Sequence, residues 1–129
     1  MSTVRERRLV AIVDDEKAVC RAIRRLVISA GFESEIFTSA EEFLRSGRER
    51  KPDYLILDLR LPGMSGLELR QQLTTDHCRI PIVFVSAHDD PSSRRQALQS
   101  GASAFLGKPF DDEALREAIH SAMKPRTPK

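Results

Sequence analysis

The sequence predicts an α/β protein of the doubly wound kind, a five-stranded parallel sheet built from five consecutive (βα) units. Three observations predict it. Short apolar runs, LVAIV, YLIL, IVFV and AFLG among them, alternate with stretches of helical period. The runs do not themselves alternate with polar residues, which is how strands covered on both faces read. Each run then stops at a polar group: Asp14 and Asp15, Asp58, Ser86, and Lys108 followed by Pro109.

Strands are expected at 8–13, 34–37, 53–57, 81–85 and 103–107, and helices near 16–30, 40–47, 66–75, 90–100 and 111–123. Punctuation supports these boundaries. Gly31 and Gly101 follow the first and fourth helices, where a left-handed residue ends a helix. Ser39 with Glu42 reads as a capping box. Asp89 and Asp90 before Pro91 give an acidic cap and a proline in the first turn. Asp111, Asp112 and Glu113 open the last helix at its positive end. The helix near 90–100 offers only Ala97 and Leu98 as apolar anchors, so it should be weakly held.

The 129 residues, 40% hydrophobic and 31% charged, suit one soluble domain over 1–123 with a flexible tail or linker stub, KPRTPK, at 124–129. No apolar run approaches a membrane span, and LVAIV is too short for the core of a signal peptide, so a cytoplasmic protein is expected. Cys20 and Cys78 have no metal or CxxC spacing and read as reduced thiols. The net charge is +2. Arginines cluster at Arg5, Arg7 and Arg8 and from Arg45 to Lys51 without interleaved aromatics, which reads as solvated faces rather than a nucleic-acid site. His77, His88 and His120 lie on separate segments without metal-ligand spacing.

Parallel strands share one direction, so their carboxyl ends meet at one edge. Asp14, Asp15, Asp58, Ser86 and Lys108 would gather there. Two unit charges about 4 Å apart repel by roughly 4 kcal/mol at an effective dielectric of 20. Three carboxylates therefore need a counter-charge, from Lys108 or from a hard divalent cation such as Mg²⁺.

VDDE at 13–16, DLRLPGMSG at 58–66, VSAHDD at 85–90 and GASAFLGKPF at 101–110 resemble the receiver domain of bacterial two-component response regulators. The style is that of the nitrogen-fixation regulator group, and the resemblance runs from Leu9 to about Met123. It implies a flavodoxin-like sheet of order 2-1-3-4-5 and a phosphorylation-activated switch. Asp58 matches the acceptor of a phosphoryl group from a histidine kinase or phosphotransfer protein. Asp15, Asp58 and the backbone carbonyl of Arg60 match the direct ligands of Mg²⁺ (or Mn²⁺), with Asp14 acting through water. Lys108 and Ser86 match the groups that meet phosphoryl oxygens, and Phe105 the aromatic partner of Ser86 in switching. Pro109 matches a position that often follows a cis peptide bond.

Arg60 and His88 depart from the commonest pattern at positions flanking the path of the hydrolytic water, and Ala87 is small. Long basic groups there imply a slowly decaying phosphorylated state, and Ala87 an open site. Leu61 replaces a usual methionine with another apolar residue. The chain catalyses only its own phosphorylation and dephosphorylation in this reading. A phosphorylation-dependent homodimer or a partner would use the surface over 90–123, including Arg94, Arg95, Phe105, Arg116 and His120. The segment is expected to act alone or to precede an output domain of helix-turn-helix type.

Two other readings compete. Haloacid-dehalogenase-like phosphatases also combine an Asp nucleophile, Mg²⁺, Ser/Thr and Lys. They place a second acid two residues on, where this chain has Arg60. A nucleotide-binding module would need a glycine-rich loop after its first strand, where this chain has DDEKA.

Overall fold

The computed structural model describes residues 8–123. The tail 124–129, Arg5 and Arg7 lie outside them. Five strands and five helices alternate: β1 Leu9–Val13, α1 Lys17–Ser29, β2 Glu33–Phe37, α2 from Ala40–Glu42 into a π turn at Phe43–Gly47, β3 Tyr54–Asp58, α3 Gly66–Thr75, β4 Ile82–Ser86, α4 Pro91–Gln99, β5 Ala104–Gly107 and α5 Asp112–Met123. The strands form one sheet in the order β2-β1-β3-β4-β5. Every pairing is parallel. This is the expected doubly wound, flavodoxin-like arrangement.

The three central strands β1, β3 and β4 are buried along their whole length, which explains their unbroken apolar runs. Successive side chains point to opposite faces. Ala11, Val13, Leu55, Leu57, Phe84 and Phe105 therefore join Phe43, Leu69, Leu73 and Ala97 of α2, α3 and α4 in one core. Val10, Ile12, Tyr54, Ile56, Val83 and Val85 join Cys20, Ile23, Leu26, Val27, Leu115 and Ile119 of α1 and α5 in the other. β2 and β5 form the edges and are only partly buried.

Caps, turns and helices follow the sequence signals with three differences. Gly31 and Gly101 adopt φ of 97° and 99° after α1 and α4, and the Asp90 side chain accepts from the Ser93 amide to cap α4. Ser39 does accept from the Glu42 amide, but the Glu42 carboxylate reaches back to Thr38 rather than to Ser39. The complete capping box is instead Ser65 with Glu68 on α3. A second difference is in α4, where Leu98 is 46% exposed and the anchors are Ala97 and the buried hydroxyl of Ser93. α2 was expected as a plain helix. It opens into a π turn where the Phe43 ring, edge-to-face on Phe37, packs against Gly47.

Gly66 starts α3 directly beneath β3. A Cβ there would meet the carbonyl of Asp58 and lie 3.0 Å from the Leu59 Cα, both backbone atoms that cannot swing aside. Gly66→Ala should therefore lower stability by about 1–3 kcal/mol, read as a lower urea midpoint. A midpoint equal to the parent's would show that the β3–α3 junction is not tightly packed.

Candidate functional site

Strand order reverses beside β1: the chain leaves β1 for β2 on one side and then crosses to β3 on the other. In open parallel sheets the crevice outside the carboxyl ends at such a point is where ligands bind. Asp14 follows β1 at that point, and Asp58 is the last residue of β3. Ser86 is the last residue of β4, and Lys108 follows β5. Asp14 and Asp58 are 1% and 5% exposed and Ser86 is fully buried, whereas Asp15 is open to solvent.

Lys108 holds the cluster together. Its Nζ donates to Asp14 Oδ2 at 2.9 Å, to Glu16 Oε1 at 3.1 Å and to Asp58 Oδ2 at 3.3 Å. The Lys108 amide also donates to the Ser86 carbonyl at 2.7 Å, which fixes the end of β5 to the end of β4. The Lys108–Pro109 peptide is cis, as expected. Burial alone would push the Lys108 ammonium down, but its hydrogen bond and charge contact with Asp14, and the charge of Asp58, hold it above its ordinary value. Asp58 moves the other way from most paired carboxylates. Burial first, and then the charge of Asp14, push it up from 3.8 to about 6, against the opposing pull of Lys108. One ammonium among the four carboxylates of Asp14, Asp15, Glu16 and Asp58 leaves an excess of negative charge.

That excess suits a divalent cation. Carboxylate oxygens of Asp14, Asp15 and Asp58 lie within 4.8 Å of one another, an all-oxygen set that matches Mg²⁺ or Mn²⁺. The Asp14 Oδ1 accepts from the Glu16 amide at 2.9 Å, which orients its carboxylate. Cys20 lies beneath, its Sγ donating to the Asp14 carbonyl at 3.2 Å, and burial raises this thiol to about 11, so it stays protonated and structural.

The remaining residues surround the mouth. The Arg60 amide donates to Asp58 Oδ1 at 3.2 Å, while its guanidinium turns to Ser93 Oγ on α4 at 3.1 Å. His88 donates its amide to Ser86 Oγ at 2.9 Å, and Ala87 is exposed. Phe105 is 5% exposed and covered by Arg94, whose guanidinium sits 4.8 Å from the ring centroid and also pairs with Asp89 at 2.9 Å. Glu16, Ser93 and Arg94 were not singled out from the sequence for these contacts. Glu16 was visible as the last letter of VDDE, but the other two join the site only through the fold.

The chain belongs to the response regulator receiver domain family, whose pattern it matches over residues 10–120. It is 41% identical over 116 residues to the response regulator protein TodT of Pseudomonas putida, covering 90% of this chain and 51% of that protein. It is 36% identical over 111 residues to the DNA-binding transcriptional regulator NtrC of Escherichia coli, covering 85% of this chain and 24% of that protein. The chain thus spans about half the length of TodT and a quarter of NtrC. Among solved structures, the response regulator StyR matches with a TM-score of 0.81 and 45% identity over 92% of this chain and 60% of that one. FixJ-N matches with a TM-score of 0.83 and 35% identity over 92% of this chain and 94% of that one. Regulators of the NtrC and FixJ type are thus among its relatives, as the motif style implies. Receiver domains of this family receive phosphoryl groups from histidine kinases and generally bind Mg²⁺ at an acidic pocket. Among the described residues no helix is long and apolar enough to cross a membrane.

The raised pKa of Asp58 has a sign that can be tested. Between 3.8 and about 6 the folded protein holds this proton more tightly than the unfolded chain, so the contribution of Asp58 to stability falls as pH rises through that window. Without metal, Asp58→Asn should raise stability by about 1–2 kcal/mol above that window. The gain should vanish at pH values below it. Equal urea midpoints for parent and variant above the window would show that Asp58 is not strained by its neighbours.

Proposed function

We propose that Asp58 accepts a phosphoryl group from a histidine kinase or phosphotransfer protein and that the acyl phosphate switches the surface over 90–123. The observation that carries this reading is the meeting of Asp14, Asp15, Asp58, Ser86 and Lys108 at one sheet edge. An Asp58 oxygen attacks phosphorus in line. The new P–O bond forms as the P–N bond to the donor imidazole breaks, and the electron pair stays on that nitrogen. Asp15, Asp58, the Arg60 carbonyl and, through water, Asp14 would hold Mg²⁺ (or Mn²⁺), whose chemistry is to neutralise charge on the phosphoryl oxygens.

Lys108 exchanges its contact with Asp58 for a phosphoryl oxygen, stabilising the charge of the transition state. Ser86 accepts from the His88 amide, so its own proton serves a second phosphoryl oxygen. Drawing Ser86 inward pulls the β4–α4 loop with it. Asp89 on that loop grips Arg94, and Arg94 covers Phe105, so the displacement reaches the aromatic side chain. Arg60, His88 and Ala87 set how readily water and donors reach the site. The chain modifies only itself, acts in the cytoplasm, and signals through a homodimer, a partner or an output domain by way of α4, β5 and α5.

Incubation with acetyl phosphate and Mg²⁺ should add about 80 Da, one phosphoryl group, detected by intact-mass spectrometry. Asp58→Asn should show no adduct, and Lys108→Ala should form it about 100-fold more slowly. A parent protein that stays unmodified, or an adduct that persists in Asp58→Asn, would sink the acceptor assignment. Sedimentation with beryllofluoride and Mg²⁺ should show a larger species than without them; identical profiles would rule out the homodimer.

A further inference from the structure

A second cluster of chemistry lies at the opposite pole of the sheet, where α3 ends and β4 and β5 begin. A cavity of about 680 Å³ opens there between the α3–β4 turn and the α4–β5 turn, with Arg70, His77, Arg79, Ile80, Pro81 and Gly101 in its lining. Its size falls within the roughly 300–1,000 Å³ of small-molecule sites. β4 runs from Ile82 at this pole to Ser86 in the Asp58 pocket, a rise of about 13 Å. The two sites are therefore separate.

The charge of the cavity is one-sided. Two arginines line it, and among the described residues no carboxylate does. Asp76, next to His77 in the chain, has its carboxylate engaged by Arg48 at 2.8 Å and by Gln72 at 3.1 Å. Arg79 is exposed and makes no hydrogen bond or ion pair among the described residues. Arg70 is half-buried and held in place. Its Nε donates to the Ser100 carbonyl at 3.0 Å, and its Nη2 lies where a Cβ on Gly101 would stand. That bond uses only Nε, so the Nη donors remain for a ligand, and a guanidinium already ordered loses little freedom on binding. His77 ends α3 at a φ of 60°, where glycine is the usual residue, and adds an imidazole to the lining. Ile80 and Pro81, both half-buried, give the cavity an apolar wall.

We propose that this cavity binds a small organic phosphate, its phosphate on the guanidinium groups of Arg70 and Arg79 and its apolar part on Ile80 and Pro81. A phosphate monoester carries about −1.5 to −2 charge and three terminal oxygens. Two guanidinium forks match that charge and those oxygens, whereas a single carboxylate is satisfied by one fork. Two arginines in a recess suit one phosphate. The run of phosphates along a nucleic acid would call for a longer stripe of cations. The site stands whether or not Asp58 is a phosphoacceptor, since it shares no residue with the Asp58 pocket.

Titration of phenyl phosphate into the ¹⁵N-labelled protein, followed by amide shifts, tests this. The amides of 74–80 and 99–101 should move together, with a dissociation constant below about 1 mM. Inorganic phosphate should bind at the same amides about fivefold or more weakly, because it leaves the apolar wall uncovered. Benzoate should be weaker than phenyl phosphate by about tenfold, and Arg79→Ala should weaken phenyl phosphate by about tenfold as well. Arg79→Lys should recover part of that loss, since it restores the charge without the fork. A urea midpoint for Arg79→Ala equal to the parent's shows that the loss is one of binding and not of folding. Shifts confined to the Asp58 pocket, equal affinity for inorganic and phenyl phosphate, or an Arg79→Ala variant that binds like the parent would each overturn the inference. So would duplex DNA that moves these amides where phenyl phosphate does not.

Discussion

The structure depends on how one ammonium is shared among carboxylates at the edge of the sheet. Lys108 reaches Asp14 and Asp58 across sequence separations of 94 and 50 residues, so the ends of β1, β3 and β5 are held by a single Nζ. The contact is partly buried, where breaking a charge pair costs more than at the surface. It is also incomplete, because three carboxylates share one positive charge. The upward shift of Asp58 comes first from burial and then from the charge of Asp14, and the second of these reflects that deficit. A pocket that is short of positive charge is ready for a metal ion. It is also ready to rearrange when Asp58 changes its charge.

The rest of the fold supplies a rigid frame for this imbalance. Strand residues divide between two cores by simple alternation, and the central strands are buried along their whole length. What is exposed to solvent near the site lies beyond the strand ends, in the loops carrying Arg60, His88 and Asp89 and on α4. α4 is fastened through polar contacts from Arg60, Asp90 and the Arg94–Phe105 stack rather than through a broad apolar face. Such contacts respond to charge, whereas apolar packing does not.

Most of the architecture was legible because parallel strands buried on both faces leave unbroken apolar runs. The ends of those runs marked the site itself, and Asp14, Asp15, Asp58, Ser86 and Lys108 do converge. Other features were hidden for physical reasons. Glu42 and Glu68 offer the same capping pattern, but only the geometry shows that the reciprocal bond forms at Ser65 and not at Ser39. Leu98 looked like an anchor because hydrophobicity alone does not tell which side of a sparsely apolar helix faces the sheet. The π turn at Phe43 follows from the bulk of one ring against Gly47, a contact between residues four apart that no periodicity encodes. The partnership of Arg60 with Ser93 joins residues 33 apart and had no local signal.

The division of labour along each strand has an evolutionary consequence. Interior strand positions carry the cores, and chemistry hangs from the last residue or from the loop beyond it. Arg60, Ala87 and His88 are all solvent-exposed, so exchanging them leaves both cores intact. If these rim positions set how readily water reaches Asp58, as proposed, a lineage can retune the timing of its signal by drift there, while selection on folding acts elsewhere. The same scaffold can host clocks of very different periods without being rebuilt.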